Sequence, residues 1–336
     1  MRVVILHNAV SPTAGPDERD VLVQRDAVAA ALVGLGHQPE AIPCTLDLES
    51  LRRQLLDAPP DVVFNLVESL AGFDWLAHLV PAVLDVLHIP YTGSSTRALF
   101  LTNDKILAKE RLSHAGLRTP GWVAVAPDGR VGWWLEASLP SRYMIKAVTQ
   151  HASFGIGEHS VIEADTPHQL IPRLREYTAK HHTACFAEQY VEGREFNLSL
   201  LAGPAGPQVL PPAEIDFSAF PEGKLRIVDY RAKWAEDSFE YHHTPRRFDF
   251  PPSDQPLVED LCRLARECWD VFGLGGYARV DFRVDLQGHP WILEINANPC
   301  LSPDAGFAAA LAQAGMGYEE AIGHVVRHAV GSRGEG

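Results

Sequence analysis

Two short runs near the C-terminus constrain this chain more than anything else in it. Ala278-Arg279-Val280-Asp281-Phe282-Arg283-Val284 and Trp291-Ile292-Leu293-Glu294-Ile295-Asn296 both alternate, with Asp285–Pro290 between them. A period of two sends successive side chains to opposite faces of a strand, so the pair reads as an antiparallel hairpin with one face in a core. Val280, Phe282 and Val284 share that face on the first strand, and Trp291, Leu293 and Ile295 on the second. With Val284 opposite Trp291, Asp281 comes to face Glu294 and Arg279 to face Asn296. Like charges directly opposed on a sheet are destabilising, so the arrangement asks for a cation. Two carboxylates and a carboxamide are hard oxygen donors of the kind Mg²⁺ takes together with phosphate and water. A solvated face on which Arg279 neutralises Asp281 satisfies the same spacing.

The rest of the chain divides into three patterns. Over residues 1–100, the buried runs Val3–Leu6 and Asp61–Val67 alternate with helical stretches at Val21–Leu35, Leu48–Leu56 and Trp75–Leu87, which predicts a parallel α/β unit. Residues 101–183 change character. A helix from Lys105 to Ala115 is followed by short strands at Trp122–Ala126, Tyr143–Ala147 and Ser160–Ile162 and by a helix over Pro167–Lys180, an α+β piece. A third unit, 184–330, begins with Ala184–Val191 and Glu195–Leu201, joined by Glu192-Gly193-Arg194 as a hairpin signal. It continues with a helix over Gln255–Phe272, the carboxylate hairpin, and helices near Phe307–Ala314 and Tyr318–Val330; residues 331–336 read as a frayed tail.

Composition removes several function classes. With 29 Lys+Arg against 43 Asp+Glu the net charge is −14, which repels phosphate backbones and anionic lipid, so neither nucleic acid nor a membrane is expected as partner. No run approaches the roughly 18 apolar residues of a membrane-spanning helix, and the N-terminus has only a short apolar stretch. The five cysteines are scattered, with no C-x-x-C pair, which suits a reducing, cytoplasmic setting. A dinucleotide-binding oxidoreductase is disfavoured because no G-x-G-x-x-G follows Val3–Leu6.

The hairpin has company. Lys146 ends a strand and precedes His151-Ala152-Ser153-Phe154-Gly155-Ile156-Gly157, a small-residue loop whose N–H groups can cradle phosphate oxygens. Gly276–Asp281 and Leu293–Asn296, Asp229-Tyr230-Arg231-Ala232-Lys233-Trp234, Glu188–Glu195, and Tyr91–Ser94 followed by Thr102–Lys105 complete a set. Together these segments resemble the ATP-grasp superfamily, and most closely its D-alanine–D-alanine ligase branch, over about Val3 to Val330.

The resemblance implies an ATP-grasp fold with an N-terminal parallel α/β domain, and a site between the central and C-terminal domains. Lys105, Lys146 and Lys233 would touch phosphates or the purine's polar edge, and Ser153 would reach the phosphates from a closing lid. Glu188 would face the adenine amine, Val191 would supply hinge backbone contacts, and Glu195 would hold the ribose hydroxyls. Asp281, Glu294 and Asn296 would hold two Mg²⁺ ions, with Mn²⁺ as a substitute. Arg279 would stabilise an oxyanion, Lys233 would assist, and Glu18 would bind a substrate ammonium. The implied activity is an ATP-dependent carboxylate–amine ligase that joins two amino acids or similar small molecules through an acyl phosphate, releasing ADP and phosphate. The family also offers a homodimer.

Departures from the family pattern gather at the substrate pocket. Glu18-Arg19-Asp20-Val21 fits the family's Glu-x-x-Val, but the Ser and Tyr that close its lid with this Glu correspond here to Ala152 and Trp234. Glu68-Ser69 stands where the family has His-Gly, Cys300 where it has the oxyanion-binding glycine, and the region of Ala305-Gly306 where it has Ser-Leu. The expectation is therefore a ligase with rebuilt amino-acid pockets. A true D-alanine–D-alanine ligase, or a non-catalytic nucleotide-binding regulator, are the alternatives.

Overall fold

The structure is a computed structural model that describes residues 1–125, 131–134, 141–150 and 153–331. The frayed tail expected beyond Gly331 and the pocket position Ala152 lie outside the described residues.

Strands β1 (Arg2–Asn8), β2 (Gln38–Cys44) and β3 (Val62–Leu66) form a parallel sheet in the order β2-β1-β3. All five residues of β3 are buried, as suits a strand covered on both faces. The edge strand β2 escaped the sequence reading because it carries Pro39 and Pro43 and buries only Ile42 and Cys44, a pattern that sheets tolerate at edges. The first helix starts at Pro16 rather than Val21, with proline in the opening turn, where its missing N–H costs nothing. That extension brings Asp17, Glu18 and Asp20 into its first turns. The single helix expected over Trp75–Leu87 is a 3₁₀ turn, Asp74–Leu76, followed by a helix at Leu79–Val86, because Pro81 is tolerated only in a first turn.

The second sheet is antiparallel throughout. Its strands β4 (Trp122–Val125), β5 (Val131–Trp134), β6 (Ser141–Ala147), β7 (Val161–Ala164) and β8 (Cys185–Gln189) lie in the order β5-β4-β8-β6-β7, with helix Leu170–His181 packed on it. The third sheet holds β9 (Gly193–Leu201), β10 (Gln208–Val209), β11 (Ala213–Ile215), β12 (Arg246–Arg247), β13 (Tyr277–Asp285) and β14 (Pro290–Asn296), ordered β12-β11-β9-β13-β14, with β10 also on β9.

The expected hairpin between the runs flanking Glu192-Gly193-Arg194 is not formed, and the two runs belong to different sheets. Both edges of β8 are taken by β4 and β6, and both edges of β9 by β11 and β13, so neither strand has an edge left for the other. The chain crosses from sheet to sheet at Gly193. Its φ is +146°, and a Cβ there would lie 1.9 Å from the carbonyl oxygen of Val284, so only glycine fits.

At the carboxylate hairpin, Arg279 faces Asn296 and Asp281 faces Glu294, as the alternation predicts. The turn end differs. A bulge after Asp281 pairs Phe282 with Ile292 and Val284 with Pro290, so Ile292 enters the core and Leu293 turns to the cleft. The inner face, with Phe196, Leu198, Leu200, Val280, Phe282, Val284, Ile292 and Ile295, is sealed by helix Gln255–Phe272 and by Ala98, Leu99, Ala108 and Leu112. Burying this face against helices frees the opposite face to carry charge.

Candidate active site

A cleft of about 800 Å³ opens where the three sheets meet, and it collects most of the residues singled out above. Glu18, Glu68, Lys146, Ser153, Glu188, Val191, Glu195, Lys233, Trp234, Arg279, Asp281, Glu294, Asn296 and Cys300 all line it. Lys105, in the first turn of helix Lys105–His114, joins them through Glu294, whose Oε1 lies 3.2 Å from its Nζ.

On the second sheet, Glu188 is buried between two lysines. Lys109 approaches to 2.5 Å and Lys146 pairs with its other oxygen. Burial pushes the Glu188 carboxyl up, but the two ammonium groups prevail and hold it below the ordinary range. Lys109 is itself sealed in, donating to Thr119 Oγ1 at 2.7 Å and to Pro120 O at 3.1 Å, and burial lowers its pKa to about 8. Across the crossover, Arg283 donates to Val191 O at 2.9 Å, to Arg226 O at 2.9 Å and to Glu195 Oε2 at 3.1 Å. Burial raises the Glu195 carboxyl, with Arg283 opposing. Neither Lys109 nor Arg283 was identified from sequence. Arg283 had a legible signal, since it continues the Arg279, Asp281 parity on one face; Lys109, one turn after Lys105, had none.

At the hairpin, Arg279 binds both oxygens of Asp281, through Nε at 2.7 Å and Nη2 at 2.8 Å. Asn197 and Asn296 add amide donors to the same carboxylate at 2.8 and 3.1 Å. Burial works against the guanidinium, and Asp281 outweighs it, so Arg279 stays charged. The neutralised pair that the spacing left open is thus present. Among the described residues no group of three or more His, Cys, Asp or Glu side chains is gathered around a metal position. Asp281 and Glu294, with Asn296 turning its amide nitrogen toward Asp281, are an incomplete oxygen set. Such a set suits Mg²⁺ arriving with phosphate oxygens and water rather than an all-protein cage.

Lys233 follows Asp229, whose side chain accepts from Ala232 N–H at 2.9 Å and caps helix Tyr230–Trp234. Crowding by protein lowers the Lys233 pKa, and Arg279 adds to this, against Glu294, Asp281 and Glu195. Ser153, at φ 59°, turns its hydroxyl to Val228 O at 2.9 Å.

The far end of the cleft is acidic and tightly hydrogen-bonded. The Cys300 thiol donates to Asp20 Oδ2 at 3.0 Å, Ser302 Oγ donates to Asp20 Oδ1 at 2.7 Å, and Gln24 Nε2 donates to Glu68 Oε1 at 2.9 Å. Burial pushes the Cys300 thiol well up, with Asp20 adding to it, so it remains a protonated donor and not a nucleophile. Glu68 is raised to about 7, chiefly by burial, with Asp20 and Asp74 contributing against the Gln24 bond. Asp20, Gln24 and Ser302 were missed because their contacts span more than 270 residues of chain. Arg246 also lines the cleft, its Nε 3.1 Å from where a Cβ on Gly306 would stand.

Among the described residues no helix is long and apolar enough to cross a membrane. A family model described as "D-ala D-ala ligase C-terminus" matches residues 113–327. The D-alanine–D-alanine ligase of Moorella thermoacetica is 35% identical over 312 residues, covering 88% of this chain and 92% of that protein. An uncharacterised protein of Sinorhizobium fredii, y4sG, is 30% identical over 311 residues, covering 90% and 85%. The fold is similar to the crystal structure of the Bacillus anthracis D-alanine–D-alanine ligase complexed with ATP, with a TM-score of 0.72 at 19% identity, over 100% of this chain and 99% of that one.

Proposed function

The chain belongs to the D-alanine–D-alanine ligase family, within the ATP-grasp superfamily, and we propose that it is an ATP-dependent ligase joining the carboxylate of one amino acid or related small molecule to the amine of another. One observation carries this reading. Arg279, Asp281, Glu294 and Asn296 converge on a cleft that also receives Lys146 and Lys233.

A substrate carboxylate oxygen attacks the γ-phosphorus of ATP, ADP leaves, and an acyl phosphate forms. The amine of the second substrate then attacks the acyl carbon, loses a proton and expels phosphate. Little covalent work falls to the protein, so positioning and charge dominate. Asp281, Glu294 and Asn296 would hold Mg²⁺, which supplies positive charge to the β- and γ-phosphate oxygens. Lys105, Lys146 and Lys233 add fixed positive charge around the phosphates. Glu195, steadied by Arg283, takes the ribose hydroxyls, while Val191 and Glu188 border the purine. Arg279, held in orientation by Asp281, faces the oxyanion that forms as the amine adds, a role typically worth about 10²–10³ in rate.

The substrate end supports a pair other than D-alanine with D-alanine. Trp234 offers a donor-only N–H and a large ring where the family has a phenol that gives and accepts. Glu18 and its acidic neighbours suit an ammonium, and the guanidinium of Arg246 beside Gly306 suits the acceptor's carboxylate. The requirement for ATP and the free cysteines fit a cytoplasmic setting. The test is a screen of amino-acid pairs for amine-dependent ADP formation with mass spectrometry of the product. The best pair is expected to exceed D-alanine with D-alanine in kcat/KM. If D-alanine with D-alanine is the best pair, the reading of rebuilt pockets is wrong and the enzyme is a plain D-alanine–D-alanine ligase.

A further inference from the structure

Tyr230 and Asp17 are 213 residues apart in sequence, and the Tyr230 phenol donates to Asp17 Oδ1 at 3.1 Å. Tyr230 opens the short helix that carries Lys233 and Trp234, and Asp17 precedes Glu18 in the first turn of helix Pro16–Gly34. The same segment is tied on its other side to the loop after β6. Ser153 Oγ donates to Val228 O at 2.9 Å, and Tyr230 N–H points at Ile156 O at 3.5 Å. Three pieces of chain, one from each sheet's unit, are thus drawn together, and Asp17, Ser153, Ile156 and Val228 all line the cleft beneath.

We propose that the Tyr230–Asp17 hydrogen bond is the latch that closes this cleft over the acyl phosphate, replacing hydroxyl links that Ala152 and Trp234 cannot make, and that both are positioning residues that keep water from the intermediate. The proposal rests on the ligase reading. Its chemistry is simple: an acyl phosphate is attacked by water as well as by an amine, and water returns the carboxylate and phosphate without forming an amide. Tyr230 lies one helical turn before Trp234, and Asp17 one residue before Glu18, so the clasp is displaced along both elements yet joins the same two. Burial and the neighbouring Asp17 and Glu18 raise the phenol's pKa, which keeps it a donor through the neutral range. Losing a hydrogen bond to a charged group typically shifts an equilibrium by roughly 10–150-fold, enough to leave the cleft open for much of each turnover.

The experiment compares Tyr230→Phe, Asp17→Asn and the double variant with the wild-type chain, using the best substrate pair from the screen. The readout is ADP released per amide formed. Loss of folded protein lowers both products together and leaves this ratio fixed, so a merely structural role does not move it. The wild type is expected near one ADP per amide, each single variant several-fold higher, and the double variant no higher than the worse single one. An unchanged ratio, or effects that multiply in the double variant, overturns the latch while the ligase reading stands. A wild type that forms no amide with any pair overturns the ligase reading and the latch with it.

Discussion

Arg279 grips Asp281 through both carboxylate oxygens, and Lys105 meets Glu294 across the same hairpin, so each of the opposed carboxylates is balanced by a cation of the protein itself. Removing the Asp281 charge therefore strands a half-buried guanidinium instead of relieving a repulsion. Asp281→Asn is expected to lower the melting temperature slightly and to reduce ADP formation at saturating Mg²⁺ by at least about 100-fold. Turnover close to wild type in that variant would remove Asp281 from the metal site.

The Glu195–Arg283 pair makes a prediction about the sugar. Glu195→Ala would leave Arg283 without its carboxylate, so Glu195→Gln is the cleaner variant. It should raise the KM for ATP by roughly 5–30-fold, the equivalent of about 1–2 kcal/mol, and should raise that for 2′-deoxy-ATP much less. Equal losses with both nucleotides would show that Glu195 does not read the diol.

The two lysines on Glu188 should separate by experiment. Lys109 is 1% exposed and bonded only to protein, whereas Lys146 lines the cleft. Lys109→Met is expected to cost about 3 kcal/mol of stability, since it breaks a buried pair. Lys146→Met should cost less stability and raise the KM for ATP tenfold or more. Denaturant melts and nucleotide titrations check both, and the reverse pattern would assign the nucleotide to Lys109.

Glu68 makes stability depend on pH. Its carboxyl is raised from 4.5 to about 7, so the fold favours the protonated form. That contribution is complete below the unfolded value and is lost as the pH rises through 7. At roughly 1.4 kcal/mol per unit it amounts to at most about 3.5 kcal/mol. Glu68→Gln keeps an acceptor for Gln24 and removes the titration, so its melting temperature should gain on the wild type between pH 4.5 and 7.5. A difference that stays flat over that window would mean that Glu68 is ionised throughout.

What was legible in the sequence was local and periodic. Helix Gln255–Phe272 and the facing pairs of the hairpin follow from spacing alone, because burial of one face imposes its period on the residues. Of the hydrogen-bonded residues at the acid end of the cleft, only Glu68 and Cys300 were legible, and they came from the family resemblance and not from spacing. Asp20, Gln24 and Ser302 were not legible, because their contacts join distant segments and each alone looks like an ordinary helix or loop residue. The Glu192-Gly193-Arg194 turn misled for a related reason. Its residues describe a local bend correctly, but which strand pairs with which is decided by edges offered from elsewhere in the chain.

The bulge after Asp281 separates two jobs that a regular hairpin would bind together. In an unbroken ladder, every residue gained or lost in the Asp285–Pro290 turn would be carried along the strand and would flip Glu294 and Asn296 out of the cleft. A bulge can take up such a slip between the turn and the ladder, so the cleft-facing pairs are fixed by their own contacts and not by the length of the turn. The turn is therefore the place where this chain can be lengthened, shortened or fused to another sequence while the chemistry a few residues away keeps its register.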